Sequence, residues 1–176
     1  GISVRDGNRI LEIGCVELID RKLTGNHYHV YVNPQRESEE GALRVHGITT
    51  EFLSDKPLYK DVAQGFFDFI KGSQLVIHNA PFDIGHMDAE FARLARNGGI
   101  DFGKTEDVCT VVDTLALAKQ MYPGAKNNLD ALCRRFGIDN SHRTLHGALL
   151  DSEIIADVYL LMTGGQTDLS LDASQD

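Results

Sequence analysis

The chain reads as an α/β domain built on a mixed sheet, and three observations carry that reading. Two neighbouring segments near the start have a two-residue apolar repeat, which suits a hairpin of strands. Beyond them, segments of helical period alternate with short apolar runs. At 176 residues, 42% hydrophobic and 24% charged with 4 Pro, the composition supports one domain with a real core.

Residues 9–20 (RILEIGCVELID) are apolar on both alternating faces, as expected of a strand covered on two sides. Residues 21–26 carry turn chemistry, and residues 27–33 (HYHVYVN) alternate again before Pro34 and the polar stretch 35–41. Then the period changes. Tyr59, Val62, Phe66, Phe69 and Ile70 fall on one helical face that Gly72 closes. Residues 74–78 (QLVIH) form a short buried-type strand, and Pro81 starts a helix carrying Ile84, Met87, Phe91 and Leu94. Residues 108–114 suit another strand and 115–121 a helix. Asn127 or Asn128 can cap the next helix, with Leu129, Leu132 and Phe136 inward and Gly137 after its end. The last helix is expected over about 147–162, stopping at Gly164 and Gly165. Residues 1–163 thus make the domain, and 164–176 a flexible tail.

Charge and cysteine content narrow the function. With 17 basic against 26 acidic residues, the net charge of −9 is wrong for a protein that grips long nucleic acid by charge alone. Three cysteines at wide spacing do not make a disulfide scaffold and fit a reducing cytosol. No apolar run reaches the ~18–20 residues of a membrane span, so a cytoplasmic location is expected. Cys15 and Cys133 fall in core-like patterns. His27, His29, His78 and His142 form no zinc-type constellation. Arg134 and Arg135 suit a solvated helix face better than a phosphate contact.

Two junctions carry chemistry. In His78-Asn79-Ala80-Pro81-Phe82-Asp83 a carboxylate sits in the first turn of a helix, at the carboxyl end of a strand, where α/β domains bind ligands. In His146-Gly147-Ala148-Leu149-Leu150-Asp151 the glycine puts His146 on a loop ahead of the helix, and Asp151 lies beside a buried stripe. Such a carboxylate needs a cation: Arg143 is the structural choice, a metal ion the functional one.

Asn79, Phe82 and Asp83 followed by His146 and Asp151 resemble the second and third motifs of the DEDDh 3′–5′ exonucleases. Val45-His46-Gly47-Ile48-Thr49 resembles that family's Val-His-Gly-Ile segment. The likeness spans the whole chain (LEIG, FDIG, NLDALC, TLHGALLD) and is strongest to the proofreading, epsilon-type branch that serves bacterial DNA polymerase III. It implies a ribonuclease-H-like fold with a five-stranded mixed sheet, three antiparallel strands then two parallel, flanked by helices. It also implies two divalent ions, Mg²⁺ or Mn²⁺, which activate water and stabilise the leaving 3′-oxygen. Asp83 and Asp151 would be metal ligands and His146 the general base. Val45, His46, Asn79 and Phe82 would contact the terminal nucleotide of a DNA 3′ end.

One part of the family pattern is absent. The first motif, a strand with Asp-x-Glu before Thr-Thr-Gly, would end at Gly1. Residue 1 is not Met, so the parent protein is expected to carry that central strand upstream, and residues 1–176 alone to be poorly active. Asp6 and Glu12 do not replace the two carboxylates, being in a turn-like stretch and inside the next strand. In the tail, Gln166-Thr167-Asp168-Leu169-Ser170-Leu171 resembles a sliding-clamp-binding peptide, with Gln166, Leu169 and Leu171 as its contacts. In the family a further C-terminal segment binds the polymerase alpha subunit. Two other readings stay open: an RNA-trimming exonuclease of the same superfamily, and a non-catalytic replisome adaptor that has lost its site.

Overall fold

The computed structural model describes residues 1–5, 9–35 and 48–175, with side chains for all of these except 3–5, 50, 144–146 and 165–175. Val45 and His46 therefore lie outside the described residues.

The expected hairpin is the backbone of the first sheet. Strand β2 (Arg9–Ile19) pairs antiparallel with β3 (Lys22–Tyr31). On the other side of β2 lies a strand not read from the sequence, β1 (Ile2–Arg5), antiparallel and opposite residues 9–13. Its four residues are too few to show a periodicity. Helices α1 (Thr50–Leu53) and α2 (Tyr59–Ile70) lead to β4 (Gln74–Ile77) and α3 (Ala80–Arg96). A 3₁₀ turn, Thr105–Asp107, precedes β5 (Thr110–Asp113), which pairs parallel with β4. Helices α4 (Thr114–Met121), α5 (Leu129–Phe136) and α6 (Arg143–Gln175) complete the chain. Three antiparallel and two parallel strands are thus present, the described ladders forming two sheets.

Packing follows the sequence pattern. Val62, Phe66 and Ile70 of α2 meet Ile84, Met87 and Phe91 of α3 against Ile10 and Ile13 of β2. A second cluster joins Leu129, Leu132 and Cys133 of α5 to Ile154, Val158 and Met162 of α6. Each large side chain buried this way contributes roughly 1.5–3 kcal/mol. At the start of β2, Glu90 takes both the Arg9 guanidinium (3.2 Å) and the Ile10 amide (3.0 Å), tying α3 to the first sheet.

Strand β2 changes character at Gly14. Residues 9–14 are buried, as expected of a strand covered on both faces, whereas 15–18 are half-buried and Ile19 is exposed. Cys15, read as a core thiol, belongs to this half-buried part. Beyond Gly14, β2 pairs with β3 alone among the described strands. A cavity of about 460 Å³ runs along that edge and along β4 opposite it.

The last helix departs from expectation at both ends. It begins at Arg143, breaks at Gly147, and continues past Gly164 and Gly165 to Gln175. Two glycines weaken a helix by about 1 kcal/mol each relative to alanine without ending it. The side chains of Gln166, Leu169 and Leu171 lie outside those described. Arg134 and Arg135 are both exposed, as expected of a helix face, and Arg135 also donates to Asn127 Oδ1 and the Lys126 carbonyl and stacks over Tyr122 at 4.3 Å.

Candidate active site

Asp83 reaches its place through a tightly specified strand-to-helix junction. Asn79 takes the left-handed conformation (φ 67°, ψ 59°), one that asparagine tolerates better than most residues. Pro81 then fixes the first helical turn, which carries Asp83. Asp113, at the end of β5, locks the junction: its Oδ1 accepts from the Asn79 amide and the Leu115 amide, both at 2.9 Å. One carboxylate therefore caps α4 and joins the carboxyl ends of the two parallel strands.

Asp151 lies on α6, four residues past the break at Gly147. Arg143 Nε donates to its Oδ1 at 3.0 Å and Nη2 to its Oδ2 at 3.4 Å, while Arg143 Nη1 reaches Asp130 at 3.2 Å. The cation supplied here by the protein is the structural alternative named from the sequence. Asp83 and Asp151 open onto one cavity of about 370 Å³, shared with His78, Asn79, Asn128 and Arg143.

The electrostatics of the two carboxylates differ in degree. Burial pushes the Asp83 carboxyl up to about 6, with Asp113 and Asp151 adding to the rise and His86 opposing it. Asp151 is also raised by burial, against the pull of Arg143. Two acidic groups in one cavity have the hard oxygen donors and excess negative charge that suit a divalent cation. They fit such an ion but do not complete its shell. Among the described residues no group of three or more His, Cys, Asp or Glu converges as a metal site.

Around this pair, Phe82 is exposed and its ring lies 4.4 Å from that of His86, whose Nδ1 donates to the Phe82 carbonyl. His78 shares a hydrogen bond between Nδ1 and Thr114 Oγ1 at 2.9 Å, and its buried Nε2 has no hydrogen-bond partner among the described residues. Burial lowers its pKa. The His146 backbone immediately precedes the break; its side chain is outside those described.

Sequence reasoning passed over two residues here. Asp113 ends β5 opposite Ile77, and His78 follows one residue later beside Thr114. The rule that ligands gather at the carboxyl ends of α/β strands could have singled out the Val-Asp-Thr segment. Glu12 was weighed only as a substitute metal ligand. In the structure it is 1% exposed and turned to the α6 break, its Oε1 accepting from the Ala148 amide at 3.1 Å.

Comparisons with known proteins agree with this architecture. Residues 1–159 match the family profile RNase_T, described as Exonuclease. DNA polymerase III subunit epsilon of Haemophilus influenzae is 62% identical over 164 residues, covering 93% of this chain and 62% of that protein. The subunit of the same name from Escherichia coli K12 is 56% identical over 165 residues, covering 94% and 66%. The chain thus spans less than two thirds of these curated relatives. Among solved structures, exonuclease X in complex with 5′ overhanging duplex DNA superposes with a TM-score of 0.67 at 25% identity, over 93% of this chain and 90% of that one. The nuclease domain of 3′hExo, a DEDDh family member bound to rAMP, gives 0.72 at 16% identity, over 94% and 88%. The shared fold is the ribonuclease-H-like one.

Proposed function

Since the chain belongs to the exonuclease family, we propose that it is the catalytic domain of a metal-dependent 3′–5′ exonuclease that proofreads new DNA within DNA polymerase III. The observation that carries this reading is the pairing of Asp83 with Asp151 across one cavity at the carboxyl end of the β4–β5 pair. The epsilon name of the relatives supports the replicative role.

In this reading Asp83 and Asp151 would hold two divalent ions, Mg²⁺ or Mn²⁺, whose chemistry is to activate water and stabilise charge at the scissile phosphate. Arg143 bridges Asp151 and Asp130 at the edge of that site. His146 takes the proton from the attacking water, a role that an imidazole titrating near neutrality suits. Phe82, exposed at the rim, offers its ring face to the terminal base; Asn79, Val45 and His46 complete the nucleotide seat. Two further carboxylates are needed. An extended segment between β2 and β4 would bring them there, because the 460 Å³ cavity runs along both strand edges. Gln166, Leu169 and Leu171 engage the sliding clamp, and the polymerase alpha subunit is the other partner, in the cytoplasm at the nucleoid-associated replisome. Among the described residues no helix is long and apolar enough to cross a membrane.

The alternative, a non-catalytic replisome adaptor, would keep the fold and the Arg143–Asp151 ion pair, but the epsilon-type relatives do not favour it. Digestion of a 3′-mismatched primer by the full-length protein, with Mg²⁺ and then with EDTA, separates the two. Metal-dependent 3′ digestion supports the exonuclease; a folded protein that digests neither DNA nor RNA supports the adaptor.

A further inference from the structure

The break in α6 is an expensive conformation with a specific support. Gly147 has φ 65° and ψ −145°, a region open in practice to glycine alone. A Cβ there would collide with Glu12 Oε1. Glu12 comes from β2, 136 positions earlier, and takes the Ala148 amide on Oε1. Its Oε2 pairs with His29 Nε2 at 2.7 Å, so the neighbouring strand β3 fixes the carboxylate in turn. Beside it, Gly14 lets the two backbones touch: a Cβ at that position would overlap the backbone of Ala148 and Leu149. A charged group with 1% exposure is costly inside a domain unless it is fully used. Here it is used on the amide two residues after His146.

We propose that Glu12 is a positioning residue for His146. Its carboxylate, oriented by His29, latches the Ala148 amide and thereby fixes the backbone two residues after His146. The proposal rests on the reading of His146 as general base. It makes Glu12 a residue of the reaction although it touches neither metal nor substrate. The hydrogen bond needs an acceptor at Oε1, not a charge. Glutamine can supply that acceptor and turn its amide toward His29 Nε2 in the other tautomer.

The test is a double-mutant cycle in the full-length protein on a 3′-mismatched primer. Glu12→Ala should lower kcat by about 100-fold, the size of a misplaced general base, with KM and the Mg²⁺ dependence nearly unchanged. Glu12→Gln should recover most of that loss. In the His146→Ala background, Glu12→Ala should cost less than about 3-fold more, since both act through one group. Multiplicative losses in the double variant would overturn the proposal while leaving the base assignment standing, as would an unrescued Glu12→Gln. Near-normal turnover of His146→Ala alone would remove the base assignment itself, and the proposal with it. If Glu12→Ala does not fold, His29→Ala replaces it in the same cycle, with a smaller kcat loss, about 5-fold, that must likewise vanish beside His146→Ala.

Discussion

The two helix entries that deliver the acidic pair are built in opposite ways. Entry into α3 is set mainly by local residues, Asn79 turning the chain and Pro81 setting the helix, with one added tie from Asp113 at the end of the adjacent strand, 34 residues on. Entry into the long part of α6 is remote. Its glycine-only break is held by Glu12 and by the close approach of Gly14, both from a strand near the other end of the chain. The difference teaches where precision has to come from. A carboxylate in a first helical turn is placed mostly by the turn, with a neighbouring strand end tying it down, whereas the break at Gly147 is held wholly by residues far away in the chain.

That contrast can be broken in several places, beginning with the acids themselves. Asp83→Ala or Asp151→Ala in the full-length protein should reduce primer digestion by at least about 1000-fold, some 4 kcal/mol of transition-state stabilisation, while the protein still folds. Near-normal turnover in either variant would remove it from the metal site. Next comes the remote clamp: Gly147→Ala should destabilise the fold by about 2–4 kcal/mol, combining a forbidden backbone region with a collision at Glu12. Urea unfolding measures it, and a cost below about 1 kcal/mol would mean that the break relaxes freely.

The pH dependence gives a smaller effect with a definite sign. Asp83 titrates at about 6 when folded, against an ordinary 3.8, so the folded state holds more protons than the unfolded chain between those values. Its contribution is favourable at low pH and is lost as pH rises through about 6. With EDTA present, Asp83→Asn should therefore gain stability relative to the parent by about 1–3 kcal/mol between pH 4 and pH 7. A pH-independent difference would contradict the buried charge. The smallest effect belongs to the local entry: Asn79→Gly should shift stability by under about 0.5 kcal/mol, since glycine accepts the same left-handed turn. Its digestion rate then reports any contact of the Asn79 side chain with the nucleotide.

Much of this was legible in the sequence, for a reason of range. The stripe from Tyr59 to Ile70, the Asn128 cap and the Gly137 stop are set within one or two turns of chain and appear where they were expected. The second hairpin strand instead starts at Lys22, five residues before the expected 27, because residues 22–26 of the expected turn stretch lie in β3. That Asp151 needs a cation, with Arg143 as the structural choice, was legible from its place beside a buried stripe, and the two form an ion pair. β1 was not, because four residues paired opposite residues 9–13 carry no period of their own. Asp113 was hidden inside an apolar strand segment. The role of Glu12 was out of reach: nothing near it in the chain announces a partner 136 residues away.

Hydrogen exchange offers a view of the same latch from another side. Amides in the first turn of a helix usually lack an acceptor and exchange quickly with solvent. The Ala148 amide sits in that position but ends on a carboxylate with 1% exposure. It is therefore a slow-exchanging amide where a fast one is normal, a single probe that registers closing and opening of the α6 break in the resting protein, with no substrate or metal needed to see it.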